Sequence, residues 1–173
     1  MSKSVTTADT DPGLAPGGRR GREAAVELAW RPWRLMSEGR VAEGLETFDD
    51  AGVYWEAFGR TDHPMLRMKS VLAELNAAVP VKLELLSSVV EGNTVVQTAI
   101  GRGQCDAGPY NNVFAFVSEL DPDRDVIVSI REYFDTMHAA TRMVPTVIRV
   151  TEERGDDSAF KQLMADFGGA AGE

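Results

Sequence analysis

Four β-strand patterns follow one another between Pro80 and Asp135, and this succession limits the possible folds more than any other feature of the chain. Each pattern is rich in β-branched and aromatic residues, and the short turn sequences EGN, DAGP and DPDR separate them. Strands joined by such short turns pair with their neighbours in antiparallel fashion. The second half of the chain is therefore predicted to form an antiparallel meander of the strands VKLELLSSVVEG, NTVVQTAIGRGQC, YNNVFAFVSEL and DVIVSIREYFDT.

Helical patterns come before this meander. REAAVELAWRPWRLMSEG has apolar residues at helical spacing, and we expect Pro32 to kink or divide this helix and Gly39 to end it. VAEGLETF predicts a second short helix ended by the turn residues DDAG, VYWEAFG a strand, and PMLRMKSVLAELNAA an amphipathic helix. Helices, a strand, a helix and a meander in this order predict an α+β domain with helices on one face of a sheet.

The two ends of the chain differ in composition from the part between them. Residues 1–21 are rich in Ser, Thr, Gly and Pro and are predicted to be a disordered leader without the apolar region of a secretory signal. After the last strand, TMHAATRM predicts a short helix. The folded domain is predicted to cover residues 22–142. Residues 143–173 are predicted to be a partly helical or flexible extension. Its segment SAFKQLMADF could pack on the domain, bridge a dimer or remain loose.

Charge and cysteine content exclude several classes of function. The net charge is −9, from 18 basic and 27 acidic residues, and no basic patch for a nucleic acid is present. No run approaches the roughly 18 apolar residues of a membrane span. The single cysteine, Cys105, excludes an intrachain disulfide and fits a reducing cytoplasm. Two histidines with one cysteine give no metal-binding spacing, and no nucleotide-binding motif is present. We expect a cytoplasmic protein that uses no metal.

The element order, with ETFDDAGVYWE, YNNVFAFVSEL and IREYFDT, resembles the SnoaL-like branch of the nuclear-transport-factor-2-like superfamily over about residues 22–142. This branch includes ketosteroid isomerase, limonene-epoxide hydrolase and polyketide cyclases. The resemblance implies a cone-shaped α+β barrel, also called a cystatin-like roll, in which a curved antiparallel sheet wraps around helices and a deep apolar pocket. It also implies a homodimer, a hydrophobic small molecule as ligand, and no cofactor.

The resemblance assigns three residues to this pocket. Glu56 stands eight residues after Phe48, where ketosteroid isomerases carry their aspartate base. Tyr54 falls on a tyrosine of the epoxide hydrolase site, and Asp135 matches the aspartate that ends a similar strand there. Strand alternation independently places Tyr54, Glu56 and Phe58 on one face, where aromatic neighbours would desolvate the carboxylate and suit it to proton transfer. The alternative is that Glu56 faces solvent near the strand end.

The sequence also departs from both family patterns. The arginine and aspartate of the epoxide hydrolases are replaced by about Gln97 and Ala99, and the first-helix tyrosine of the isomerases falls near Pro32. Asp135 has a second interpretation as well, because an aspartate before TMHAATRM is a favourable helix N-cap, worth about 1 kcal/mol. Neither family mechanism is complete in this sequence.

Further residues are candidates for binding a substrate. Asn112 shares a strand face with Tyr110, Phe114 and Phe116, so its amide needs a hydrogen-bond partner or faces a cavity. The alternative is an asparagine at a turn-proximal strand start. His138 is a candidate at the pocket rim or an ordinary helix-surface residue. Phe114 and Trp33 are expected in the core or in the pocket lining.

Together these observations predict a cofactor-independent enzyme that acts by acid/base proton transfer. The expected reaction is an isomerisation, dehydration or cyclisation of a polyketide-, steroid- or terpenoid-like substrate, with Glu56 and Asp135 as acid and base. The alternatives are a non-catalytic ligand-binding or dimerisation module with the same fold, and a variant epoxide hydrolase.

Overall fold

Residues 21–153 and 158–169 are described by a computed structural model, so the predicted leader lies almost wholly outside the described residues. Five helices and six strands occur in these ranges. In chain order they are α1 (Arg22–Ser37), α2 (Val41–Leu45), β1 (Phe48–Glu56), β2 (Thr61–Pro64), α3 (Met65–Ala78), β3 (Lys82–Glu91), β4 (Thr94–Cys105), β5 (Gly108–Leu120), β6 (Ile127–Phe134), α4 (Thr136–Glu152) and α5 (Ala159–Gly169). None of these helices is long and apolar enough to span a bilayer.

The six strands form one curved, unclosed sheet in the order β2-β1-β6-β5-β4-β3. The predicted meander from β3 to β6 is confirmed, since each of its strands pairs antiparallel with the next. β1 instead pairs in parallel with β6, so the sheet is mixed rather than purely antiparallel. Helices α1, α3 and α4 pack against β3, β1 and β5, respectively. The predicted α+β class with a curved sheet around helices is confirmed.

The core lies between the helices and the inner face of the sheet. Trp33 of α1 stacks on Phe116 of β5, with 4.2 Å between ring centroids, and meets Phe48 of β1 edge-on. All three side chains are buried. The sequence predicts that Pro32 kinks or divides this helix, and the structure rules out the division, since α1 remains one helix through Pro32. Gly39 follows its end with a positive φ of 82°, as expected of a helix-ending glycine.

The first strand is longer than the sequence pattern indicates. It begins at Phe48 and includes residues 49–52, for which the sequence predicts a turn. A shift in the pairing with β6 between Phe48 and Val53 accommodates these residues. A Cβ atom on Gly52 would lie 2.5 Å from the Val128 carbonyl oxygen, so this close approach requires glycine. The short edge strand β2 was not predicted.

The C-terminal part of the chain is more helical than expected. α4 runs as one helix through Pro145 to Glu152, so TMHAATRM is only its first half and the predicted boundary at residue 142 lies inside it. SAFKQLMADF forms α5, as its spacing indicates. Among the three alternatives for this segment, the structure has the one in which it packs on the domain, against α3 and α4.

Candidate functional site

A cavity of about 60 Å³ lies between the inner face of the sheet and helices α3, α4 and α5. Glu56 and Glu132 supply its two carboxyl groups, so we call it the acidic cavity. The remaining lining is apolar or aromatic and includes Phe58, Phe114 and Phe134. A pocket of this composition with a few polar groups is typical of a site for a small organic molecule.

A second cavity of about 90 Å³, the apolar cavity, lies next to the first. Its lining includes Trp33, apolar side chains of α1, α3 and β3, and one amide residue, Asn76 of α3. Several residues line both cavities, among them Leu72, Tyr110 and Phe114. The structure thus places Phe114 at both cavities and Trp33 at the apolar one.

Glu56 ends strand β1 with its side chain turned to the inner face of the sheet, and it is only 4 % exposed. Its carboxylate accepts two backbone hydrogen bonds from the turn that follows, from the N–H of Phe58 at 2.5 Å and from that of Gly59 at 2.8 Å. The two hydrogen bonds fix the carboxylate against this turn. Tyr54 and Glu56 share the inner face, as the alternation indicates.

Glu132 of β6 is the second carboxyl group of the acidic cavity. It is the register partner of Glu56 across the parallel β1–β6 pair, so the two side chains leave the sheet side by side. The Tyr54 hydroxyl donates a 2.7 Å hydrogen bond to Glu132 Oε2. Burial raises the pKa of Glu132 to about 7, the charge of Glu56 adds to this effect, and the Tyr54 hydrogen bond opposes it. Near neutral pH, Glu132 therefore exists in both protonation states.

The same surroundings also shift the pKa of Tyr54. Burial, more than its charged neighbours Glu132 and Glu56, raises the pKa of the Tyr54 phenol well above its usual value. The hydroxyl therefore stays protonated and acts as a donor to Glu132. Tyr54 lies behind the acidic cavity rather than in its lining.

His63 is a buried residue of the site that sequence reasoning missed. It lies on β2 opposite Tyr54 and is 5 % exposed. Its Nε2 atom is 3.5 Å from Glu56 Oε1 and has no hydrogen-bond partner among the described residues. The imidazole thus stands beside the carboxylate of Glu56 with one nitrogen still available. Its signal in the sequence is weak, because a four-residue edge strand gives little alternation.

Asn112 joins β5 to the start of α4. Its side-chain nitrogen donates to the Tyr110 hydroxyl at 2.9 Å and to the Asp135 carbonyl at 3.0 Å, and its oxygen accepts from the Asp135 N–H at 3.1 Å. The amide is therefore satisfied by the protein. His138 stacks on Tyr110, with ring centroids 5.4 Å apart. Asn112 and His138 line neither of the two cavities, but both hold Tyr110, which lines both.

Asp135 is exposed, and its Oδ1 atom accepts a 2.9 Å hydrogen bond from the His138 N–H. This contact makes it the N-cap of α4, one of the two interpretations of the sequence. Asp135 lines neither cavity. The structure therefore brings Glu56 together with Glu132 and not with Asp135.

The site thus contains two neighbouring carboxyl groups with different partners, a buried imidazole and an apolar wall. Such a pair can divide the roles of acid and base, because Glu132, with a pKa of about 7, can carry a proton near neutral pH beside the carboxyl group of Glu56. Within residues 21–153 and 158–169, no group of three or more His, Cys, Asp or Glu residues is arranged to hold a metal ion.

Comparisons with known proteins agree with this architecture. No protein-family model matches the chain, and no curated protein matches it in sequence. PrhC from Penicillium brasilianum superposes with a TM-score of 0.65 at 16 % identity, covering 83 % of this chain and 96 % of PrhC. A Jannaschia protein assigned as a SnoaL-like polyketide cyclase gives 0.60 at 16 % identity, covering 73 % and 97 % of the two chains.

An epoxide hydrolase of the limonene-epoxide-hydrolase type from M. tuberculosis also has the same fold. Its TM-score is 0.58 at 16 % identity, and the match covers 73 % of this chain and 91 % of the hydrolase. At this level of identity the likeness concerns the fold. The fold expected from the resemblance to SnoaL-like and nuclear-transport-factor-2-like proteins is confirmed.

Proposed function

We propose that this protein is a cofactor-independent enzyme that transfers protons within a hydrophobic small molecule bound in the acidic cavity. The observation that carries the proposal is the pairing of Glu56 and Glu132 on adjacent strands inside one apolar cavity. Carboxyl groups in an apolar cavity are costly unless they are paired or functional, and a shifted pKa such as that of Glu132 is frequent at catalytic sites. Structural neighbours that include a polyketide cyclase and an epoxide hydrolase support a small-molecule substrate.

Glu56 is the base in this mechanism. Its carboxylate is held by two N–H donors at the end of β1 and takes a proton from carbon next to a substrate carbonyl. The imidazole of His63 lies beside this carboxylate, with its Nε2 atom 3.5 Å from Glu56 Oε1. The protonated form of Glu132 donates to the carbonyl oxygen, so the product of this step is an enol. Return of the proton from Glu56 to another carbon, with loss of the enol proton to Glu132, completes an isomerisation.

Tyr54 and Tyr110 have supporting roles in this proposal. Tyr54 fixes one oxygen of Glu132 and leaves the other for the substrate. Tyr110, held by Asn112 and His138, forms the boundary with the apolar cavity, which would accept the part of the substrate that does not react. Asp135, predicted as a second catalytic carboxylate, is proposed here as a helix cap only.

The experiment is a screen for proton exchange with solvent. Cyclic ketones and enones of polyketide, steroid and terpenoid type are incubated with the protein in D₂O, and deuterium incorporation at carbon is followed by NMR. Glu56→Gln and Glu132→Gln should each lower the rate by about 10²- to 10⁴-fold, the usual contribution of a general acid or base. Glu91→Gln, an exposed residue at the end of β3, is the matched control.

The outcome also separates the enzyme from a binding module. If compounds bind but the wild-type protein exchanges no proton, or both glutamine variants keep the wild-type rate, the catalytic proposal fails. The site would then serve to hold a ligand. A rate that falls as the pH rises through about 7 would agree with the protonated form of Glu132 as the acid.

We also propose that the protein is a homodimer. Val89, Val113 and Tyr133 are exposed apolar or aromatic residues on the outer face of the sheet, on strands β3, β5 and β6. The resemblance to SnoaL-like proteins implies a homodimer, so a second copy of this chain is the expected partner of this face. Sedimentation equilibrium of the wild-type protein and of Val113→Lys tests this, because a lysine on a buried interface should shift the mass towards the monomer, whereas an unchanged monomeric mass in both would contradict the proposal.

A further inference from the structure

Helix α5 forms one wall of the acidic cavity. Phe160, Leu163, Met164 and Phe167 line the cavity from this helix, and Phe160 and Leu163 are almost completely buried. The carboxyl groups of Glu56 and Glu132 reach the same cavity from the sheet. The reactive groups and α5 therefore face the same space.

Polar contacts hold α5 on α3 at two points. At the start of α5, the Glu74 carboxylate accepts hydrogen bonds from the Ser158 hydroxyl at 2.6 Å and from the N–H groups of Ala159 and Phe160 at 2.9 and 3.0 Å. A negative charge is favourable at this end of a helix. Near the other end, Arg67 and Asp166 form an ion pair at 2.7 Å. At both points the partner of α5 is a side chain of α3, Glu74 or Arg67.

Phe167 brings α5 closest to the reactive groups. A Cβ atom on Gly59 would lie 2.2 Å from Cε1 of Phe167 and 2.9 Å from Glu56 Oε1, so the ring lies directly against the turn that holds Glu56. The same ring meets His63 edge-on, with 6.2 Å between centroids. Phe167 thus covers the end of the cavity at which Glu56 stands, and it packs beside His63.

The enclosed space is small for the substrate class proposed above. A cavity of about 60 Å³ holds only a few water molecules, whereas pockets for ligands of polycyclic size are about 300–1,000 Å³. A wall must therefore move before such a ligand can bind. The strands are tied into the sheet, and α3 and α4 pack directly on strands β1 and β5, whereas the main contacts of α5 are with helices α3 and α4.

We propose that α5 is a movable wall of the acidic cavity and that Phe167 and Met164 determine the size of the ligand that fits behind it. Displacement of α5 from α3 admits the ligand, and its return through the Glu74 contacts excludes water from Glu56. The proposal rests on the proposed function only in taking the acidic cavity as the ligand site. It requires no particular reaction.

The first test compares two phenols of different size, 2-naphthol and 1-hydroxypyrene, whose binding is followed by fluorescence. Phe167→Ala should improve the affinity for 1-hydroxypyrene relative to 2-naphthol by about tenfold, and Phe167→Trp should change this ratio in the opposite direction. Leu66→Ala, an exposed position on α3, is the control and should leave the ratio unchanged. If Phe167 only stabilised the fold, its substitution would weaken the binding of both phenols equally. Met164→Ala replaces Phe167→Ala if the latter does not fold.

The second test measures opening without a ligand, by amide hydrogen exchange. Glu74→Gln should speed exchange of the α5 amides by about tenfold, while the amides of β4 and β5 keep their wild-type rates. Arg67→Asp and Asp166→Arg should each speed this exchange by a smaller factor, because the ion pair is partly exposed. The double variant, in which the two charges are exchanged, should restore the wild-type exchange rate.

Two results would overturn the proposal. One is that α5 exchanges only together with β4 and β5 in both the wild type and Glu74→Gln. The other is that the affinity ratio of the two phenols is the same in the wild type, Phe167→Ala and Phe167→Trp. Because the phenols are not substrates and exchange needs no ligand, these results are independent of Glu56→Gln and Glu132→Gln. The catalytic proposal can therefore fail while the movable wall stands, and the reverse also holds.

Discussion

Glu56 and Glu132 are register partners on the parallel strands β1 and β6, and both line the acidic cavity. Their surroundings differ although they are neighbours. Glu56 accepts two backbone hydrogen bonds, whereas Glu132 has the Tyr54 hydroxyl and is raised to a pKa of about 7, chiefly by burial. Two neighbouring carboxyl groups with different hydrogen-bond partners are suited to acid and base roles.

The raised pKa of Glu132 makes the stability of the protein depend on pH. Its folded-state pKa of about 7 lies above the ordinary 4.5, so the folded state binds the proton more tightly than the unfolded state. This stabilisation is complete below pH 4.5 and is lost as the pH rises through 7. By linkage, the loss approaches roughly 3 kcal/mol. Glu132→Gln should lack this pH-dependent loss of stability.

Urea unfolding at pH 5 and pH 8 measures this difference. We expect the free energy of unfolding of the wild type to fall between these pH values by more than that of Glu132→Gln, while Glu91→Gln follows the wild type. Carboxylates with lowered pKa values, such as Asp121 beside Arg124, act below this window and are common to all three proteins. Parallel pH profiles for the wild type and Glu132→Gln would contradict the assignment.

Removal of the Tyr54 hydroxyl should change the titration of Glu132. The Tyr54 hydrogen bond lowers the pKa of Glu132, so Tyr54→Phe should move that pKa further above 7. The carboxyl carbon resonance of Glu132, followed by NMR against pH, gives the value directly. Tyr133→Phe, on the outer face of the same sheet, is the control and should leave the titration unchanged. A lower pKa in Tyr54→Phe would mean that the hydroxyl does not donate to the carboxylate.

The sequence predicts most of the sheet because its strands alternate. The inner positions of β1 and β5 are those that the alternation assigns, so Glu56 and Asn112 are both buried as expected on one face. The same rule could have identified Glu132, since it lies between the inward residues Ile130 and Phe134 of β6. Asp135 lies on the opposite alternation of the same strand end, so it does not share the inner face with Glu132.

Other features could not be derived from local patterns. β2 has four residues and pairs only with β1, so its sequence TDHP gives no strand signal and His63 is not recognised. The short pattern TMHAATRM does not give the full length of α4, which continues through Pro145 because packing can override propensity. The helical spacing of α5 predicts a helix but not its partner. Its position over the cavity depends on Glu74 of α3, which lies 84 residues before Ser158.

Asn112 is predicted to be a stabilising residue through its contacts with Asp135. Asn112→Ala leaves the Asp135 N–H and the Tyr110 hydroxyl without their buried partner, which should cost about 2 kcal/mol or more. The neighbouring Asn111→Ala, at an exposed position, should cost less than about 0.5 kcal/mol. Chemical unfolding of both variants measures this, and equal free energies of unfolding would show that the Asn112 network does not stabilise the fold.

Asp135 provides the last prediction, because its two interpretations from the sequence differ in what a substitution does. As the N-cap of α4, it accepts from the His138 N–H, so Asp135→Ala should lower the free energy of unfolding by about 1 kcal/mol. Asparagine is an equally good N-cap, so Asp135→Asn should restore most of that loss. As a catalytic carboxylate, Asp135 would instead need its charge, and Asp135→Asn would lose proton exchange as Glu56→Gln does. Measured stability and deuterium incorporation in the same two variants separate the roles. We expect Asp135→Asn to keep most of the wild-type stability and the wild-type rate of deuterium incorporation, since residue 135 lines neither the acidic nor the apolar cavity.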